Sequence, residues 1–266
     1  MTRSIRDMLS ANDVKVGHFV TEFTTPAIGH VLKAAGCDLI GLDMEHSGIG
    51  FDGMRTTLRY LEAAGIPALV RPISKQYQDI SRLLDIGADA ILAQSVETAE
   101  EARQIVSFMK YAPKGKRGVT IEYFHDRFNP GPLAEKLADA NRATALFVLI
   151  ETGVGVANAD AIAAVDGVDC LYIGHYDLGV DIGTGEQFDH PRMVDSLNRV
   201  VAAARAHGKA VAWSVESVST LEAMRRAGAD FFFYGSDVST LREAVGVAVK
   251  DIRRRCAAVD DSGPGR

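Results

Sequence analysis

Much is missing from this chain, and the gaps are informative. Its 266 residues hold no apolar run approaching the roughly 18 needed to cross a bilayer. The opening MTRSIRDMLSANDV lacks the apolar core of a secretory signal, so a cytoplasmic location is expected. Cysteine is scarce: Cys37, Cys170 and Cys256 form an odd set whose spacing fits neither a disulfide framework nor a thiolate metal site. Cys37 and Cys170 open apolar runs and read as buried free thiols. No basic block appears, and 29 Lys plus Arg against 35 Asp plus Glu leave a net charge of −6, which argues against nucleic acid as a partner. No linker divides the chain. Residues 1–258 are therefore expected to form one domain and 259–266 a disordered tail.

What is present is a repeated strand-then-helix grammar. VGHFVTEF, DLIGLDMEH, PALVRP, AILAQSV, ALFVLIET, CLYIGHYD, AVAWSVE and FFFYGSD read as eight strands, each followed by a helical pattern. Gly36 and Gly65 sit where helix C-caps belong, and Thr98 with Glu101 three residues on marks a helix start. Continuous apolar runs such as ALFVLI suit strands covered on both faces. Eight such steps in a chain near the usual 250 residues predict an α/β fold of the (β/α)₈ TIM-barrel type. Residues 111–142 break the rhythm and read as a long βα loop with a short added helix, a candidate lid or interface element.

In such a barrel the active site lies at the C-terminal ends of the strands. Polar residues concentrate there: Asp43, Glu45 and His46 on strand two, Arg71 on strand three, Glu151 on strand five, His175 and Asp177 on strand six. Glu151 and Asp177 each close an apolar strand. Buried carboxylates must be paired, protonated or bound to a metal. Two of them with no cysteine nearby make a hard-oxygen set suited to Mg²⁺ or Mn²⁺, and pairing with a structural Arg or Lys is the competing reading. His46 is a candidate general base, oriented by Asp43 or Asp85. Arg71 can clamp a carboxylate or stabilise an enolate, or simply bridge to a neighbouring acid.

The segments GCDLIGLDMEHS, PALVRP, ISRLLDIGADAIL, AEEAR, KGKRGV, IET, VDCLYIGHYDL, DHP and YGSDVSTL, in this order, resemble the HpcH/HpaI aldolases, the metal-dependent class II pyruvate aldolases. The resemblance runs from Val16 to the last helix. It implies a hexamer built as a trimer of dimers, with the C-terminal helix exchanged between subunits. It also implies that a 4-hydroxy-2-oxo acid is reversibly cleaved to an aldehyde and pyruvate, or hydroxypyruvate, through a metal-chelated enolate. By matching motif, Glu151 and Asp177 would ligate Mg²⁺, Mn²⁺ or Co²⁺. Arg71 would hold the keto oxygen, and His46 would handle protons with Asp43 or Asp85 in support. Glu45 would hold water, and Gly174, His175 and Tyr176 would receive the carboxylate.

Independently of the family, no lysine falls at a strand's C-terminal end as a Schiff-base nucleophile requires. Lys15 and Lys209 start strands, and Lys75 lies beyond strand three. Departures from the family pattern cluster at the expected pocket. Leu149 replaces a glutamine, Gln94 and Ser95 replace a proline-methionine pair, His175 and Tyr176 replace proline and alanine, and strand seven carries Trp213 and Ser214. Tyr176 and Trp213 are expected to narrow the pocket, with Ser214 and His175 adding polar contacts to substrate. A metal-dependent 2-oxo-acid decarboxylase or lyase acting on a compound such as oxaloacetate, an acyl-CoA lyase, and a non-catalytic barrel are the alternatives.

Overall fold

The computed structural model describes residues 4–215 and 221–261. Eight parallel strands close into a barrel in sequence order: β1 (Lys15–Val20), β2 (Leu39–Asp43), β3 (Ala68–Arg71), β4 (Ala90–Ala93), β5 (Ala145–Ile150), β6 (Cys170–Ile173), β7 (Ala210–Val215) and β8 (Phe231–Ser236). Closure comes from β1 pairing with β8, with a register shift between Gly17 and Phe19. The expected (β/α)₈ architecture is the observed one.

Side chains alternate between the two faces of each strand, and here the alternation separates two cores. Leu39, Leu69, Leu92, Phe147, Tyr172, Ala212 and Phe233 point inward and fill the barrel. Ile40, Val70, Ile91, Val148, Leu171, Val211 and Phe232 point outward and pack under the helices. Gly17 and Gly41 occur where the inner aromatics need room: a methyl at Gly41 would meet the Phe19 ring at 2.6 Å, and one at Gly17 the Phe233 ring at 2.6 Å. Helix α1 (Ile5–Leu9), capped by a reciprocal Ser4–Asp7 box, inserts Ile5 and Met8 into the inner core and closes the N-terminal mouth. No element is expected at this segment from the strand-then-helix pattern, so α1 is an addition to it.

Most expected helices form with their expected signals. Between β1 and β4 they are α2 (Ile28–Ala34), α3 (Phe51–Ala64) and α4 (Tyr77–Asp85), and α5 (Ala99–Met109) follows β4. Gly65 ends α3 in the left-handed region, and the Thr98 hydroxyl accepts from the Glu101 amide at the start of α5. The helix after β5 is broken at Asn158 into α7 (Gly153–Ala157) and α8 (Ala159–Ala163). Helix α10 (Pro191–Ala206) opens on Pro191, and α11 (Leu221–Ala227) precedes β8.

Three placements differ from expectation. Strand six stops at Ile173, and His175, Tyr176 and Asp177 open helix α9 (His175–Asp181), where the Leu178 amide bonds the Gly174 carbonyl. The buried positions His175, Leu178 and Gly179 share a helical face, which overrides the apolar run. Second, residues 111–142 follow α5 and lead into β5, so they form an α-to-β connection at the N-terminal rim, not a βα lid. This excursion carries a short 3-10 turn (Phe124–Asp126) and leads into α6 (Leu133–Ala143); it is tied down by Arg117 to Asp85 and by Arg127 to Glu62. Third, α12 runs over Asp237–Asp261, so residues 259–261 of the expected tail are helical; 262–266, and Glu216 of the expected strand seven, lie outside the described residues. Among the described residues no helix is long and apolar enough to cross a membrane.

The packing inside the barrel has a direct test. Gly41→Ala overpacks Phe19 and is expected to cost about 1–3 kcal/mol, read as a lower urea midpoint at unchanged slope. A variant as stable as the parent contradicts the packing described.

Candidate active site

The inward rows continue past the packed layers. After Leu39 and Gly41 comes Asp43, after Leu69 comes Arg71, after Leu149 comes Glu151, and after Ala212 comes Ser214. All four therefore converge on the C-terminal mouth, where a cavity of about 520 Å³ is lined by them together with Gly174, His175, Tyr176 and Asp177. The opposite wall comes from β8 and the start of α12, including Ser239, Thr240 and Arg242.

Asp43 and Arg71 face each other across the β2–β3 register. The pair is bidentate: Arg71 Nε donates to Asp43 Oδ1 at 2.8 Å and Nη2 to Oδ2 at 2.7 Å. Arg71 Nη1 also meets Glu45 Oε2 at 3.1 Å. Asp43 is only 2% exposed. Burial alone would raise its carboxyl, but Arg71 and the Glu45 amide hold it below the usual carboxylate range. Two of the five guanidinium N–H donors are thus hydrogen-bonded to Asp43 and Nη1 faces Glu45, so donors remain for a ligand.

Glu151 is 7% exposed, and its Oε1 accepts from both the amide and the hydroxyl of Ser95, the amide at 2.8 Å. Burial pushes its carboxyl up against those bonds, and the nearby Asp177 charge adds to the rise. Its Oε2 lies beside Gly174, where a methyl would approach it to 2.8 Å, so only glycine fits. Among the described residues no lysine or arginine forms an ion pair with Glu151 or Asp177. Ser95 itself adopts φ 45°, a left-handed conformation that costs a non-glycine residue about 1–2 kcal/mol.

Other expectations need correction. Asp43 does not orient His46: its oxygens are taken by Arg71 and the Glu45 amide. Asp85 ends α4 at the opposite rim and is held by Arg117, so it cannot support His46 within the same chain. His46 is 69% exposed in the loop after β2, off the cavity lining, with Nε2 at 3.7 Å from Glu45. Asp177 is exposed on the first turn of α9 rather than buried at a strand end. Trp213 points outward and does not narrow the cavity; its indole N–H donates to His175 Nδ1 at 3.1 Å, which makes that nitrogen the acceptor. His175 in turn packs against Tyr176 and Phe188. Ser214 does line the cavity, bonded to the buried Tyr172 hydroxyl at 2.6 Å. Ser95 was noted in the sequence only as a departure, because nothing in a serine announces a left-handed backbone.

A barrel that gathers a buried carboxylate, a second carboxylate and an anchored arginine at its C-terminal mouth has the construction of an enzyme site. The family model described as HpcH/HpaI aldolase/citrate lyase matches residues 15–244, and the chain belongs to that family of aldolase-type carbon–carbon lyases. It is 34% identical over 236 residues to the 5-keto-4-deoxy-D-glucarate aldolase of Shigella boydii serotype 18, covering 89% of this chain and 91% of the relative. Among solved structures, the HpcH/HpaI aldolase from Desulfitobacterium hafniense DCB-2 superposes with TM-score 0.90 at 28% identity, covering 99% of this chain and 98% of that one. The citrate synthase SbnG aligns with TM-score 0.86 at 25% identity, covering 96% and 99%.

The Asp43–Arg71 pair predicts a pH signature. Arg71→Met leaves a buried, unpaired carboxylate and is expected to cost about 3–5 kcal/mol at pH 7. The depressed Asp43 carboxyl of the parent contributes stability above the unfolded carboxylate range and loses it as pH falls through its folded value. The deficit of the variant should therefore shrink as the pH is lowered below about 4. A deficit independent of pH in urea titrations contradicts the pairing.

Proposed function

We propose that the protein is a divalent-metal-dependent aldolase that reversibly cleaves a 4-hydroxy-2-oxo acid into pyruvate, or its hydroxy analogue, and an aldehyde. The observation that carries this is Glu151: a buried carboxylate that forms no ion pair among the described residues, one oxygen tied to Ser95 and the other beside Gly174 at the cavity. Among the described residues no three His, Cys, Asp or Glu side chains converge as a complete cage. Two carboxylates with substrate and water oxygens are what Mg²⁺ or Mn²⁺ takes, and the all-oxygen set does not select zinc. Glu151 and Asp177 would hold the cation. When bound, it polarises the substrate carbonyl and acidifies the adjacent carbon.

The chain's own groups supply the rest. Arg71, fixed on two sides by Asp43 and Glu45, presents its remaining donors to the keto oxygen and the charge that develops there. The backbone at Gly174, His175 and Tyr176 receives the carboxylate where β6 turns into α9. His46, exposed in the loop after β2 and off the cavity lining, would accept and return the proton through a water, with Glu45 between it and Arg71. Ser214 meets the aldehyde half. No lysine among the described residues lines the cavity, which supports this route over a Schiff base. The relatives that act on 5-keto-4-deoxy-D-glucarate support a polar, acidic substrate of that kind.

Helix α12 leaves Leu241, Val245 and Ile252 exposed along its length, which supports exchange of this helix between subunits of a hexamer. A cytoplasmic location remains part of the same proposal.

The test is exchange of the pyruvate methyl protons in D₂O, followed by NMR after chelator treatment. Exchange is expected only with added Mg²⁺ or Mn²⁺, and to fall at least about 100-fold in Arg71→Met and to vanish in Glu151→Gln. Undiminished exchange in both variants, or exchange indifferent to metal, contradicts the assignment.

A further inference from the structure

A closed hydrogen-bonded circuit runs behind Glu151, through residues the proposed chemistry does not use. At φ 45° the Ser95 backbone turns so that its amide and its hydroxyl reach the same oxygen, Oε1 of Glu151. An extended residue sends these two groups in different directions, toward the neighbouring strand and off the sheet. The same turn directs the Ser95 carbonyl to Lys75, whose Nζ donates to it at 2.7 Å. Lys75 also pairs with Glu101 Oε1 at 2.9 Å. The second oxygen of Glu101 accepts from the Glu97 amide at 2.9 Å. Glu97 Oε1 accepts from the Thr152 hydroxyl at 2.8 Å, and Thr152 is covalently next to Glu151. Asn158 Nδ2 holds the Glu97 carbonyl at 2.8 Å from the start of α8.

The circuit therefore leaves Glu151 through its side chain and returns through its backbone, spanning the segments after β3, β4 and β5. None of Lys75, Ser95, Glu97 and Glu101 lines the cavity, so they act only through Glu151. Their joint effect is geometric: Oε1 is fixed from behind, and Oε2 is left beside Gly174 on the cavity side.

We propose that Ser95 and Lys75, braced by Glu101 and Glu97, are positioning residues that aim the Glu151 carboxylate for divalent-cation binding. The proposal rests on the reading of Glu151 as a metal carboxylate. Lysine 75, unsuited to a Schiff base, acquires a role here as the cation that holds a strained carbonyl in place.

The test is Mn²⁺ titration of the chelator-stripped protein, with free Mn²⁺ followed by electron paramagnetic resonance and folding checked by circular dichroism. Residues that orient metal ligands typically change affinity by about 10–100-fold. Ser95→Ala and Lys75→Met are each expected to weaken Mn²⁺ binding by roughly tenfold or more, Lys75→Arg to restore most of it, and Glu151→Gln to remove it. Ser95→Ala deletes a single oxygen, so it carries the test if Lys75→Met does not fold. Parental affinity in folded Ser95→Ala and Lys75→Met, with binding lost in Glu151→Gln, overturns the circuit and leaves the metal reading standing. A parent protein that does not bind Mn²⁺ overturns both.

Discussion

The molecule depends on one constraint: in a closed ladder of eight parallel strands, every second side chain must point into the barrel. That parity decides which residues form the inner core and which lie under the helices. It also decides what meets at the C-terminal mouth. Asp43, Arg71, Glu151 and Ser214 are the next inward positions after Gly41, Leu69, Leu149 and Ala212, so the site is the core's own continuation in polar residues. A shift of one residue in any of these strands would bury the functional side chain under a helix.

Placing charge at the end of a packed interior has a cost that each group meets differently. Asp43 is satisfied completely by Arg71 and an amide, and its carboxyl is held low. Asp237, at the start of α12, takes amides from Thr21, Glu22 and Phe23 and so ties the β1 exit to β8. Its charge is spent on structure. Glu151 is the exception. It has hydrogen bonds but, among the described residues, no ion-paired cation, and burial raises its carboxyl. A buried carboxylate left short of positive charge, backed by a serine in a left-handed conformation, concentrates strain where a ligand can relieve it. The well-packed bottom of the barrel, closed by Ile5 and Met8, supplies the stability this requires.

The barrel was legible because its signals are local: apolar runs, Gly65, Thr98 and the regular alternation. Asp43, Arg71 and Glu151 were legible for the same reason, since each ends a strand. The misplacements have physical causes. CLYIGHYD reads as one strand because its first half is apolar, while the helical face of His175, Leu178 and Gly179 begins inside it. Asp85 lies at the C-terminus of a helix returning from strand three, and such a helix must end at the opposite rim. The direction of the chain also puts residues 111–142 at that rim. The expectation that Trp213 narrows the pocket overlooked parity: Ala210, Ala212 and Ser214 face inward, which leaves 213 outside. The Ser95 conformation had no signature at all, and the circuit through Lys75 follows from it.

The most direct test of the account is anomalous diffraction at the manganese edge from crystals grown with Mn²⁺ and oxalate, a mimic of a chelating 2-oxo acid. The account predicts one peak between Glu151 Oε2 and the Asp177 carboxylate, with oxalate reaching toward Arg71 and the first turn of α9. A peak elsewhere on the barrel, or none at that position in crystals that bind oxalate, would contradict it.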